Sequence, residues 1–150
     1  MGDEGYDKGE EGATWIVSEL GGGAVQSYED LRVWQGGIQL AEAVYDLTDS
    51  FPDSERFGLT SQLRRASVSI ASNIAEGWGR GSRQDYVRFL RIARGSLYEV
   101  RTQVVIAHRV GFASGADAKR FREQTEILRR QLQGLITSLQ RSSASGASSS

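Results

Sequence analysis

Ser82-Arg83-Gln84-Asp85-Tyr86-Val87-Arg88-Phe89-Leu90-Arg91-Ile92-Ala93-Arg94-Gly95-Ser96-Leu97 opens the stretch whose reading decides the fold, and Tyr98 to Gly111 completes it. Tyr86, Phe89, Leu90, Ala93, Leu97, Val100, Val104 and Ala107 recur mostly three or four positions apart. Because an α-helix completes a turn every 3.6 residues, that spacing puts them on one face. Ser82 is a suitable N-cap, and Asp85 follows three residues on, where a carboxylate meets the positive end of the helix dipole. The helix is expected to end near Gly111. Such an apolar face is stable only when other helices cover it.

Three further segments carry the same period. Before the central stretch, residues 58–76 place Leu59, Leu63, Ala66, Ile70 and Ile74 on one stripe. Earlier still, residues 28–50 space Leu31, Trp34, Ile38, Ala41 and Tyr45 in the same way. Gly36-Gly37 weakens the middle of that helix by about 1 kcal/mol per glycine relative to alanine. Phe51-Pro52-Asp53 ends it. The fourth segment starts after Ser114, again with an acid (Asp117) three residues later, and carries Phe121, Leu128, Leu132, Leu135, Ile136 and Leu139.

The connections are short, so neighbouring helices are predicted to run antiparallel. The expected fold is all-α, an up-down-up-down four-helix bundle over residues 28–141. Residues 1–27, rich in glycine and acid, read as a flexible extension. Residues 142–150 contain only Ser, Ala and Gly and read as a disordered tail.

Charge divides the chain in a way its total conceals. The formal net charge is −1, yet residues 1–27 carry six acids and one base, whereas residues 28–141 carry 17 bases and 13 acids. Sixteen of the 18 bases are arginine, the residue suited to planar contacts with phosphate or carboxylate. Near-neutrality therefore does not exclude an anionic partner.

Several function classes drop out. With no cysteine there are no disulfides, thiolate metal sites or cysteine nucleophiles. His108 is the single histidine, and it has no acid nearby in sequence to orient it. The carboxylates show no Glu-x-x-His pattern of a di-iron bundle. No enzyme, metal or cofactor is expected. No apolar run approaches the ~20 residues of a membrane span, and the acidic start lacks the form of a signal peptide, so a soluble cytoplasmic protein is expected.

Three features point to binding. On the third helix Arg83, Arg91, Arg94, Arg101 and Arg109 fall in a sector about 80° wide beside the apolar face. Such a row matches a run of phosphates, and it reads equally well as a solvated flank or one paired with acids of a neighbouring helix or subunit. The turn Gly77-Trp78-Gly79-Arg80-Gly81-Ser82 leads into a helix N-terminus, which with Arg80 and Arg83 suggests an anion site. There Trp78 either stacks on bases or caps the bundle end. On the second helix Val68, Ala71 and Ala75 lie opposite the apolar stripe, an expected oligomer interface bordered by Arg64 and Arg65. The expected nucleic-acid contacts are Arg64, Arg65, Arg80, Arg83, Arg91, Arg94 and Arg101, and the alternative is a protein–protein adaptor whose arginines engage an acidic partner.

Longer matches carry a family resemblance. Asp30-Leu31-Arg32-Val33-Trp34-Gln35, Phe57-Gly58-Leu59-Thr60-Ser61-Gln62-Leu63-Arg64-Arg65-Ala66 and Ser72-Asn73-Ile74-Ala75-Glu76-Gly77 stand in order, followed by Phe89-Leu90-Arg91-Ile92-Ala93 and Gly95-Ser96-Leu97-Tyr98-Glu99. This pattern resembles the small bundle proteins encoded in intervening sequences of bacterial 23S rRNA genes, over residues 28–140. The accessory variability determinant of diversity-generating retroelements looks like a relative on the same fold. The resemblance implies a ring-like homopentamer with a basic surface and a suspected association with RNA. For the retroelement relative it implies binding of nucleic acid and of a reverse transcriptase. The chain departs from the family pattern at Gly36-Gly37, where a Lys-Ala-like pair is usual, and at Ala71, where proline is common.

Overall fold

Two serines start the long helices as their sequence positions predict. Ser82 Oγ accepts the backbone N–H of Asp85 at 3.1 Å, and Ser114 Oγ accepts that of Asp117 at 3.1 Å. Each satisfies one of the donors a helix start leaves unpaired. The computed structural model describes residues 25–148, with side chains through residue 142. Residues 1–24 of the acidic extension, and the side chains of the serine-rich tail from residue 143, lie outside the described residues.

The helices are α1 (Arg32–Asp49), α2 (Leu59–Gly79), α3 (Arg83–Arg109) and α4 (Gly115–Ser148), with short 3-10 turns at Tyr28–Asp30 and Asp53–Glu55. No strand occurs among the described residues. α2 packs against α1 and α3, and α4 packs against α3 and α1, which closes a four-helix bundle. The α1–α2 and α3–α4 connections meet at one end, where the rings of Phe51 and Phe112 lie 5.8 Å apart. That meeting is the signature of antiparallel neighbours. Gly111, at φ +89°, turns the chain out of α3. Its N–H donates to the His108 carbonyl at 3.1 Å and that of Phe112 to Ala107 at 2.8 Å. A side chain would be strained in that left-handed conformation.

Leu40, Val44, Leu63, Ile70, Ile74, Leu90, Leu97, Phe121 and Leu132 form the centre of one continuous core. The predicted apolar faces of the second, third and fourth helices supply most of it. The face of α1 differs. Val33, Gly37, Leu40, Val44 and Leu47 point inward, whereas Trp34, Ile38 and Ala41 are half-buried and Tyr45 is 45% exposed. Of the predicted stripe Leu31 is buried in the core, from an extended residue ahead of the helix, and Trp34 packs against its edge.

Gly37 explains the rotation. A Cβ there would lie 3.3 Å from both the Cβ and the backbone nitrogen of Ala71, so α1 and α2 approach closely where both residues are small. Reading by hydrophobic bulk discounts a glycine and turns the face toward Trp34 and Ile38. The same contact corrects the expectation for Ala71. It is buried against α1 within the chain, so it cannot belong to an open oligomer face.

The glycine-rich turn is also shorter than predicted. α2 continues through Gly77, Trp78 and Gly79, and only Arg80–Ser82 connects it to α3, with Gly81 at φ +83°. Gly77 is buried facing α3, where a Cβ would meet Phe89 Cβ at 2.7 Å. Its backbone is therefore helical and unavailable as the anion-binding loop expected there. Trp78 is half-buried with its ring edge-on to Tyr86 at 6.1 Å, which favours the role of capping the bundle end.

Candidate nucleic-acid interface

Two arginines of the predicted row on α3 reach across to α4. The Arg94 guanidinium donates to Gln133 Oε1 at 2.6 Å, and Arg101 meets Glu126 Oε2 at 3.4 Å. Seven residues forward along α3 correspond to seven residues back along α4, which fixes the antiparallel register of the pair. Arg83 is half-buried at the start of the same row, and Arg91 is exposed.

The other predicted contacts divide in the same way. Arg64 donates to Thr48 Oγ1 at 2.9 Å, pairs with Asp49 at 3.2 Å and lies over the Tyr45 ring. Arg80 pairs with Glu76 at 2.8 Å and lies over Phe89. Arg65 and Arg91 are exposed and make no hydrogen bond or ion pair among the described residues. Hence Arg64, Arg80, Arg94 and Arg101 hold the bundle together, while Arg65 and Arg91 present an open guanidinium. Of the expected interface residues, Val68 is 45% exposed and Ala75 half-buried.

Glu126 is the electrostatic centre of the α3–α4 seam. Arg129 grips it with both arms of its fork, at 2.7 and 2.9 Å. Arg130 reaches it at 3.2 Å and Arg101 at 3.4 Å. One carboxylate thus serves three guanidiniums and leaves the group a net positive charge. The hydrogen bond from Arg129, reinforced by the charges of Arg129 and Arg130, holds the Glu126 carboxyl down to about 2. A carboxylate bound more tightly as an anion in the native state stabilises that state above its unfolded pKa. The contribution is expected to fade as pH falls from about 4.5 and to vanish below about 2. Urea midpoints of the native chain and of Glu126→Gln should therefore differ at neutral pH and converge on acidification. A gap unchanged down to that pH would reject the linkage.

Beyond this cluster, toward the Phe51–Phe112 end, α3 and α4 border a cleft of about 530 Å3. Arg101, His108, Arg109 and Arg122 line it above the apolar residues Val104 and Phe121. Arg109 and Arg122 are exposed and unpaired among the described residues. Arg122 was not among the expected contacts, because it lies on the fourth helix and only the antiparallel register brings it beside the α3 row. His108 is exposed, and its Nδ1 is 3.0 Å from the Ala113 carbonyl, which ties the helix end to the following turn. Among the described residues no group of three or more His, Asp or Glu is placed to hold a metal ion, and no helix is long and apolar enough to cross a membrane.

Comparison with known proteins adds a family. The family described as 23S rRNA-intervening sequence protein matches residues 29–134. Among solved structures, the chain is similar to a protein of unknown function from the S23 ribosomal protein family of Bacteroides thetaiotaomicron. The two share 20% identity with a TM-score of 0.65, over 69% of this chain and 97% of that one. At that identity the likeness establishes a shared fold. No curated protein matches the chain.

Proposed function

Because the chain belongs to the 23S rRNA-intervening sequence protein family, we propose that it is a non-enzymatic, oligomeric bundle that associates with nucleic acid through its arginine surface. The observation that supports this reading is the pair of exposed guanidiniums that the bundle's own ion pairs leave unengaged. Arg65 on α2 and Arg91 on α3 are exposed without a partner among the described residues, and they supply sequence-independent phosphate contacts. Arg83 extends the row of α3.

Contacts of this kind release counterions, so affinity falls steeply with salt. Fluorescence anisotropy with a structured RNA and a DNA duplex should give binding at low ionic strength that weakens at moderate salt. The double variant Arg65→Gln/Arg91→Gln should flatten that slope by about two phosphate contacts. Failure to bind either nucleic acid, or an affinity indifferent to salt, overturns the proposal.

The assembly we propose is the homopentamer that the resemblance implies. Tyr45 of α1 and Val68 of α2 are each 45% exposed, with half-buried Ile38 and Ala75 on the same helices, and this apolar surface supports contact between copies of the chain. Tyr45 and Arg64, stacked 4.6 Å apart across α1 and α2, place the two sets side by side. Light scattering should return five times the chain mass, and a monomer would overturn the assembly. An adaptor role, such as an accessory to a reverse transcriptase in a retroelement, would use the same open arginines on an acidic protein. A partner protein retained through purification after nuclease treatment would favour it.

A further inference from the structure

We propose that the cleft between α3 and α4 is a binding site for a terminal phosphomonoester of a nucleotide, distinct from the open arginine surface along the helices. The inference rests in part on the nucleic-acid reading, and its test separates the two.

The cleft differs from the rest of the basic surface in shape and in composition. Its volume of about 530 Å3 falls in the range of about 300–1,000 Å3 typical of small-molecule sites. Three guanidiniums, Arg101, Arg109 and Arg122, converge on it from two helices, together with His108. Two of the three, Arg109 and Arg122, have no partner among the described residues. The third shares Glu126 with Arg129 and Arg130, so among the described residues the one carboxylate bonded to a cleft arginine is divided among three cations. The group that fits this excess is compact and doubly charged.

A phosphomonoester carries about −1.5 to −2 charges and three acceptor oxygens at neutral pH. A phosphodiester within a chain carries one charge and two free oxygens, and it suits an open ridge better than a concave end. Arginine forks match such oxygens two at a time. Val104 and Phe121 close the floor, and Val105, 41% exposed, with half-buried Ala118 adds apolar surface on which the base of a nucleotide can rest. A peptide carboxylate brings a single charge and two oxygens, and so matches three guanidiniums less fully than a phosphomonoester does.

The test compares one short RNA in three forms, with a 5′-phosphate, with a 3′-phosphate and with hydroxyls at both ends. A charged hydrogen bond contributes about 1.5–3 kcal/mol, so at least one phosphorylated form should bind about tenfold or more tightly than the hydroxyl form. Arg109→Gln/Arg122→Gln should reduce that ratio to about one. Both side chains are exposed and unpaired among the described residues, so the fold does not depend on them. Arg65→Gln/Arg91→Gln should weaken all three RNAs and preserve the ratio.

Calorimetry with adenosine 5′-monophosphate and with adenosine distinguishes a free nucleotide from an RNA end. Three RNAs bound with equal affinity overturn the cleft and leave the nucleic-acid reading standing. Saturable binding of the monophosphate alone, lost in the Arg109/Arg122 variant, supports the cleft and overturns the wider RNA reading. Absence of both overturns both.

Discussion

Phe121→Ala is expected to destabilise the bundle by about 3–5 kcal/mol, the largest effect of any single substitution proposed for this chain. Phe121 is 1% exposed and belongs to the central core. Truncation removes apolar area from the interior and leaves a cavity that rigid helices close only in part. Thr125, one turn on, is fully buried and donates its hydroxyl to the Phe121 carbonyl at 2.7 Å, so the local backbone has little freedom to collapse into the gap. Phe57→Ala is the matched control, because Phe57 is 90% exposed and deleting its ring opens no cavity. Urea unfolding should show a much lower midpoint for the first variant and almost none of that shift for the second. Equal shifts would mean that Phe121 is not packed as described.

The second large effect has a sign that depends on which glycine is changed. Glycine in a helix costs about 0.5–1 kcal/mol relative to alanine, so Gly→Ala stabilises wherever a methyl group fits. At Gly95 and Gly134 nothing lies within 4 Å of the new Cβ, and both substitutions should raise stability by about that amount. At Gly77 the Cβ would sit 2.7 Å from Phe89 Cβ and 3.3 Å from the Tyr86 carbonyl oxygen. Neither neighbour is the free end of a flexible side chain, so α2 and α3 must separate. Overpacking of this kind costs about 1–3 kcal/mol and exceeds the gain in helix propensity. Thermal melts of the three variants should therefore move in opposite directions. A Gly77→Ala protein as stable as Gly95→Ala would show that the two helices are not in contact there.

These glycines also show why part of the fold was legible in the sequence and part was not. Ser82 with Asp85 and Ser114 with Asp117 are local signals, complete within four residues, and both mark true helix starts. The core faces of the later helices are carried by large apolar side chains at helical spacing. Gly37 and Gly77 instead act by what they lack, and their partners Ala71 and Phe89 lie on the next helix. Nothing local separates a glycine that breaks a helix from one that lets another helix come close.

The arginines pose the same difficulty over longer separations. Arg91 and Arg94 look alike in a helical projection, yet Gln133, on the far helix, occupies only the second. The partner of Arg101 likewise comes from α4. Arg122 gave no signal by itself. The register of α3 against α4 would have found it, since seven residues on one helix answer seven on the other.

The pairing of Phe51 with Phe112 has a consequence for how a ligand would be received. The ring contact joins two chain connections into one end of the bundle, and His108, on the wall of the cleft, is tied to Ala113 beside Phe112. Two helical hairpins are thus stitched together where the cleft opens, whereas at the opposite end a single connection, Arg80–Ser82, joins α2 to α3. An anion received in the proposed cleft would meet walls that the bundle's own packing holds, and would give up its own freedom with little ordering of its host. Selectivity at such a site would rest on shape and charge that are present in advance.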